Sequence, residues 1–528
     1  MQDERVDASG SGGGSAAAAV AASIPTLSSM EDVVALINQT SPSPSSASAA
    51  AAGQPVSPHI RETLLPALQK LLHSPKGRGE RVLLGALQGG VDPLSALDSK
   101  NHTLGIAYIL ATRCLNAPDG PVANGLAPHV EKFGLQFMPE QLVGAGEIVT
   151  MLAKGFATVG QLIGDPMWAL ISISRLFDGF RAAHGNLNNF TTLHPIFVYQ
   201  CLRTRHYNMA VDWVLQHELT DASRDVTPLS YTDVLEYFYY GGLTFAKLGN
   251  FEKAVEFFEV CVSSPAQQAS AIQIDAYKKL LLVQLIAHGK TSKLPRYTSS
   301  SVTRAIKGQI AHLGFYTSLV DAYEARFLPQ MDRDGGVGSA GLQQRDRVIG
   351  AANAGAEAFS RDMNVGLVQH VVSLHRLRLV RQLANSFETL ALGDIARLVG
   401  GLEADVEEGD ELQSASKTAL EDIREIAARG WIQVSLQEAS PLSRSIVRFS
   451  PIELSKFDGL DSIELLTKTM SEAKRWDQIV EARERAVARS EAFLTKAQAN
   501  GSSRDRFGAG GGGGGMSIDD YDEDESFS

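Results

Sequence analysis

The sequence predicts a mainly α protein: a long array of paired helices, then a short segment where helices give way to two strands, then one long C-terminal helix. Three observations predict it. Apolar residues recur at helical spacing from about Val56 to Phe327, punctuated by Gly and Pro. Strand-like alternation is scarce until Ile432. From Asp461 to Asn500 an apolar residue returns every seventh position on an otherwise charged segment.

Residues 1–55 are rich in Ala, Ser, Gly and Pro and are expected to be mostly disordered, because they bury too little apolar surface to offset the entropy of ordering. One island, "SSMEDVVALINQ" (Ser28–Gln39), breaks this composition. Ser28 and Glu31 have capping-box spacing, and Met30, Val33, Val34 and Ile37 share a helical face. It reads as a nascent helix in a tail, with a docking helix as the alternative.

Residues 56–328 are expected to form a helical-repeat solenoid. "ETLLPALQKLLHS", "IVTMLAKGFATVGQLI" and "DAYKKLLLVQLIAHG" each keep helix spacing, and short amphipathic helices in series bury their faces by stacking in pairs. "YYGGLTFAKLGNFEKAVEFFEVCVSSP" (Tyr239–Pro265) fits the tetratricopeptide pattern when Ala254 takes the small position of a second helix. Phe238, Gly242, Phe245, Gly249, Phe251, Phe258 and Cys261 then meet its bulky, small, aromatic and turn requirements. Tyr207, Ala210 and Val214 echo Phe251, Ala254 and Phe258 upstream, so the repeat is degenerate. The aromatics are first of all packing knobs between helices; a peptide groove lined by Tyr237 and Tyr240 is the other reading.

A loop is expected over 329–346, on "PQMDRDGGVGSAGLQQRD". Helices resume at 347. "LALGDIARLV" and "KTALEDIREIAARG" are short helices, the second with Leu420, Ile423 and Ala427 inward and Gly430 as its stop signal. "WIQVSLQ" alternates Ile432, Val434 and Leu436 with polar residues, and "SIVRFS" alternates Val447 and Phe449. Helices followed by a hairpin are the order of a winged helix, expected at about 376–450.

Helical repeats running into a winged helix resemble the PCI-domain family, which is shared by the proteasome lid, the COP9 signalosome and a translation initiation factor. The segments Asp362–Leu367 and Leu390–Ile395 are similar to its helix junction. "LDSKNHTLGIAYIL", "YYGGLTFAKLGNFEKAVEFFE", "AYKKLLLVQLIAHGK" and "LPRYTSSSV" narrow the resemblance to the COP9 signalosome subunit 3 family, over roughly Leu97–Phe449. The resemblance implies a PCI domain at 347–455 (helical part 347–391). It also implies a non-catalytic scaffold in the complex that removes Nedd8 from cullins, and so a hetero-oligomer with subunits 1 and 8 as neighbours in nucleus and cytoplasm. The alternative is a PCI subunit of the proteasome lid.

The residues themselves point to no chemistry. HExxH, HxH, GxSxG, CxxC and a P-loop are all missing, so neither a catalytic site nor a bound cofactor or metal is expected. Cys114, Cys201 and Cys261 are far apart and read as reduced core thiols. His370 and His375 are poorly spaced to share a metal. The 528 residues are 44 % apolar and 20 % charged with a formal charge of −12, to which Glu403–Glu411 and Asp519–Glu525 contribute six acids each and no base. On the expected recognition helix Lys417, Arg424 and Arg429 cancel Glu421, Asp422 and Glu425, which argues against nucleic acid. Arg376, Arg378 and Arg381 form the one basic run nearby. No run is apolar enough for a membrane helix.

The last helix is expected over 460–500 as one continuous element. Leu466, Ala473, Val480, Val487 and Leu494 recur every seven, and Ile463 and Met470 widen the stripe. Residues 501–528 are expected to be a disordered Gly-rich and acidic tail. The expected partner surfaces are this seam (Leu466, Met470, Val480, Val487, Leu494) and the strands (Ile432, Val434, Leu436, Val447, Phe449).

Overall fold

The computed structural model describes residues 25, 27–40, 59–184, 189–308, 313–325, 340–400, 410–430, 432–450, 460–490 and 494–495. The expectations for the two ends and most of the acidic Glu403–Glu411 segment lie outside them. The chain divides into two compact units. One runs to Ala428 and takes in Leu436–Arg448; the other comprises Arg429–Ser435 and the chain from Phe449 onward.

The first unit opens with α1 (Met30–Thr40), followed by α2 (Leu65–Leu72), α3 (Arg78–Leu84), α4 (Pro93–Ala96) and α5 (Thr103–Leu115). The island thus docks rather than floats. Met30, Val33 and Ile37 are buried, Glu31 accepts a hydrogen bond from the Gln88 amide at 2.9 Å, and a Cβ on Gly105 of α5 would come within 2.3 Å of Ile37. Its cap also differs from the expected Ser28–Glu31 box. The Asp32 carboxylate accepts from the amides of Ser28 (3.1 Å) and Ser29 (3.0 Å), while the Asp32 amide donates to Ser29 Oγ. Asp is short enough to reach back to the cap residue, and Glu31 is occupied elsewhere.

Helices then stack in succession: α6 (Gly120–Gln136), α7 (Gly146–Ile163), α8 (Pro166–His184), α9 (Leu193–Thr204), α10 (Tyr207–Ala210), α11 (Tyr231–Lys247), α12 (Phe251–Ser263), α13 (Ala271–His288), α14 (Ser300–Lys307) and α15 (Leu313–Glu324). Two-residue strands, β1 (Asn189–Phe190) and β2 (Asp221–Ala222), pair in parallel beside α9. α5 lies on α7 past α6, α7 on α8, α8 on α9, α9 on α11 past the short α10, α11 on α12 and α12 on α13. This is a helical solenoid.

The tetratricopeptide-like pair is α11 and α12, and its local chemistry explains its shape. Ser230 and Asp233 form a capping box on α11, and Asn250 Oδ1 accepts from the Lys253 amide to start α12. Between them Gly249 has φ +78°, and the Asn250 amide donates to the Phe245 carbonyl at 3.0 Å, a left-handed helix stop that favours glycine. Gly241 and Gly242 let the two helices approach closely; a Cβ on Gly241 would sit 2.4 Å from the Phe257 ring and one on Gly242 2.7 Å from the Phe258 ring.

The stack continues into α16 (Ala340–Ala354), α17 (Ala356–Arg361) and α18 (Val365–Ser386) without leaving the same unit. α16 begins inside the segment read as a loop, so helix periodicity in "AGLQQRD" outweighs its glycine-rich approach. Next come β3 (Thr389–Ala391), α19 (Leu392–Gly400), α20 (Asp410–Ala428), β4 (Gln433–Gln437) and β5 (Ile446–Ser450), with sheet order β3-β5-β4. β3 pairs antiparallel with β5, Leu390 opposite Val447. The inward face of α20 is Leu412, Ser416, Ala419, Ile423 and Ile426; Leu420 is half-buried and Ala427 exposed, one residue off the expected face. Gly430 takes the expected left-handed turn, φ +70°.

The second unit is dominated by α21 (Leu460–Ala488). It is shorter than the expected 460–500 helix, about 44 Å at 1.5 Å per residue. The Arg489 and Ser490 amides bond back to the Arg485 and Val487 carbonyls, and Leu494 lies beyond its end.

Candidate interaction surfaces

The aromatic cluster that stands out in the sequence is mostly core. Tyr237 and Phe258 are buried, and Phe257 stacks obliquely on Phe238, Tyr237 and Phe245 with ring centroids 5.1–6.2 Å apart. Tyr237 therefore does not line a groove. Tyr240 does. It meets Tyr199 at 5.1 Å across a cleft of about 420 Å³ formed by α7, α9 and α11. Lys154, Gln200, Arg203 and Glu236 also line it.

The three cysteines and the histidines His194 and His375 are turned inward. Cys114, Cys201 and Cys261 are buried, and burial pushes each thiol up to about 12, far from the thiolate needed for reaction. Burial pulls His375 down to about 4 and His194 to about 3, so both are neutral imidazoles at neutral pH. His375 packs edge-on against Tyr323, and His370 against Phe251. Among the described residues no cluster of His, Cys, Asp and Glu could hold a metal, and no helix is long and apolar enough to cross a membrane.

The basic run on α18 is partly consumed by the fold. Arg376 is ion-paired with Asp422 of α20, Nε to Oδ2 3.0 Å, and Arg378 lies 4.7 Å over the Tyr323 ring. The junction "DMNVGL" is built around a nearly buried carboxylate. Asp362 accepts from Lys278 Nζ of α13 at 2.8 Å and from the Tyr316 hydroxyl of α15 at 2.8 Å, and Asn364 Nδ2 donates to that hydroxyl at 2.8 Å. Periodicity alone could not place Lys278 there; its neighbours Ala276 and Leu280 are ordinary core residues.

Two surfaces were expected to face partners. β5 is the central strand, and Val447 and Phe449 are 0 % and 4 % exposed, so they belong to the chain's own core rather than to a free edge. β4 is an edge strand; Ile432 beside it is buried, while Val434 and Leu436 are half-buried. On α21 the seam is open: Leu466, Met470, Val480 and Val487 are 50–60 % exposed, and Ile463 and Leu465 join them. Leu494 is 49 % exposed but off the helix.

Residues 82–302, the stack from α3 to α14, match the model of the COP9 signalosome complex subunit 3 N-terminal helical repeats. That stretch is similar to the helical repeats of COP9 signalosome subunit 3. A Dictyostelium discoideum protein named COP9 signalosome complex subunit 3 is 27 % identical over 317 residues, 60 % of this chain and 70 % of its own. The Arabidopsis thaliana protein of the same name is 28 % identical over 352 residues, 64 % of this chain and 74 % of its own. The resemblance read from "LDSKNHTLGIAYIL" and "YYGGLTFAKLGNFEKAVEFFE" is the one these comparisons find, and both segments lie inside the matched repeats.

Proposed function

We propose that the chain is a non-catalytic scaffold subunit of the COP9 signalosome, supporting assembly of the complex that removes Nedd8 from cullins and so regulates cullin–RING ubiquitin ligases. The observation that carries the reading is the match of 82–302 to that subunit's repeats. In this reading the α18–β5 region is a PCI winged helix. Its edge strand β4 joins a neighbouring PCI domain, with subunits 1 and 8 as candidates, and α21 enters a bundle with helices of other subunits in nucleus and cytoplasm. An exposed apolar seam on a charged helix supports the bundle role, because such a stripe gains stability only against another helix.

Affinity purification of the tagged full chain, followed by mass spectrometry, tests the assignment: signalosome subunits are expected, and proteasome lid subunits would overturn it. A variant with Val480→Asp and Val487→Asp tests the bundle. Both positions are half exposed, so the isolated protein should keep its melting temperature, while an unpaired charge buried in the seam should abolish co-purification. Unchanged recovery of partners would sink the bundle role.

A further inference from the structure

The cleft between α7, α9 and α11 has features that packing does not require. Gln200 is 1 % exposed and lines the cleft, yet its Oε1 has no hydrogen-bond partner. A buried acceptor left unpaired costs about 1–3 kcal/mol, so a free-standing core would favour Leu or Met here. Around it the three helices present one continuous face. Lys154 comes from α7, Tyr199 and Arg203 are one turn apart on α9, and Glu236 and Tyr240 are one turn apart on α11. Each of these helices opens a successive helical pair of the array, so the cleft crosses the repeats rather than following one of them.

The chemistry is mixed in a specific way. Tyr199 and Tyr240 offer a half-exposed aromatic wall, their rings 5.1 Å apart, and the Arg203 guanidinium sits 5.9 Å over Tyr199. Lys154 and Arg203 are cationic and exposed, with Glu236 the one carboxylate. A primary amide at the base of a groove matches a peptide bond, which carries one donor and one acceptor. Two cations at the rim match carboxylates, and the tyrosines match an apolar or aromatic side chain.

We propose that this cleft is a docking site for an extended acidic peptide segment of a partner protein. Gln200 pairs with the peptide backbone, Lys154 and Arg203 with flanking carboxylates, and the Tyr199–Tyr240 wall with an aromatic side chain between them. Its ligand is independent of whichever complex the chain enters.

The test is fluorescence anisotropy of the full chain with a labelled peptide, Gly-Glu-Asp-Phe-Glu-Asp-Gly, beside a control in which Lys replaces each acid. Saturable binding of the acidic peptide alone, weakened by salt, is expected. Gln200→Leu should cut affinity at least tenfold while leaving the melting temperature equal or higher, because it removes the unpaired acceptor. Arg203→Glu should cut it by a similar factor, and Lys132→Glu, on α6, should not. No saturable binding, or equal loss with Lys132→Glu, would overturn the site. A Gln200→Leu protein that melts earlier would also count against it, since Gln200 would then be serving the fold.

Discussion

The Lys278–Asp362 and Arg376–Asp422 ion pairs of the first unit should respond in opposite directions when broken. Lys278 and Asp362 have side chains only 10 % and 13 % exposed, and the Asp362 carboxylate also accepts from Tyr316. Burial pushes the Asp362 carboxyl upward, but the hydrogen bonds and charge of Lys278, with the Tyr316 hydroxyl, more than offset it and hold it below the usual carboxylate range. Asp422 also meets a guanidinium, yet burial and the charges of Glu425 and Glu421 outweigh Arg376 and its carboxyl is raised. The fold therefore favours the ionised form of Asp362 and disfavours that of Asp422. Asp362→Ala leaves a nearly buried ammonium unpaired, a loss of about 3–5 kcal/mol. Asp422→Asn removes a charge whose burial its partner does not offset, so stability at neutral pH should stay level or rise. The pH signs differ too. The contribution of Asp362 is fully present above the unfolded value of about 3.9 and is lost as pH falls through its lowered folded value. The Asp422 penalty is present above its raised folded value and is relieved as pH falls through it. Thermal melts at pH 7, pH 5 and pH 3, with hydrogen exchange over α13 and α17, read both. A melting temperature for Asp362→Ala within a degree of the parent, or a large loss for Asp422→Asn, would refute the reasoning.

Further outcomes are expected. Ile37→Ala, at a fully buried site on α1, should cost about 2–5 kcal/mol and raise exchange in α1 and α5; a neutral result would mean α1 does not dock in solution. Met363 is 89 % exposed at φ 55°, where its amide and that of Asn364 close a left-handed helix stop, so Met363→Gly should stabilise by up to about 1 kcal/mol in a thermal melt. Prolines placed singly at Gln433, Val434 and Ser435 of β4 should leave circular dichroism helical, and at least one should abolish pull-down of a neighbouring subunit; undiminished assembly with all three would count against strand addition.

How much of this was legible depends on whether the signal was local. The α11–α12 hairpin was, because Gly242, Gly249 and Ala254 are steric requirements that a short window exposes. So were the C-terminal seam and the β4 and β5 alternation. The docking of α1 was not, since twelve residues in an alanine-rich stretch look alike whether they pack or not; the decision lies in Gly105, far along the chain. The exact inward face of α20 was missed because Ser416 is buried while Ala427 is not, and small residues carry little periodic weight. The cleft was half legible: Tyr240 could be named from its spacing, but Gln200 and Arg203 come from another helix that only the stacking brings alongside.

Among the most enclosed helices of the stack is α13. Nearly every residue from Gln273 to Ile286 is buried, including Lys278 and Lys279, and the helix touches α11, α12, α14, α15 and α18. A helix packed on one side can peel away from its neighbour; one wrapped on all sides cannot leave until its surroundings have gone. If the chain is pulled from its two ends, the outer repeats should therefore unravel in steps at low force, and the segment around α13 should hold until last and then rupture as a single event.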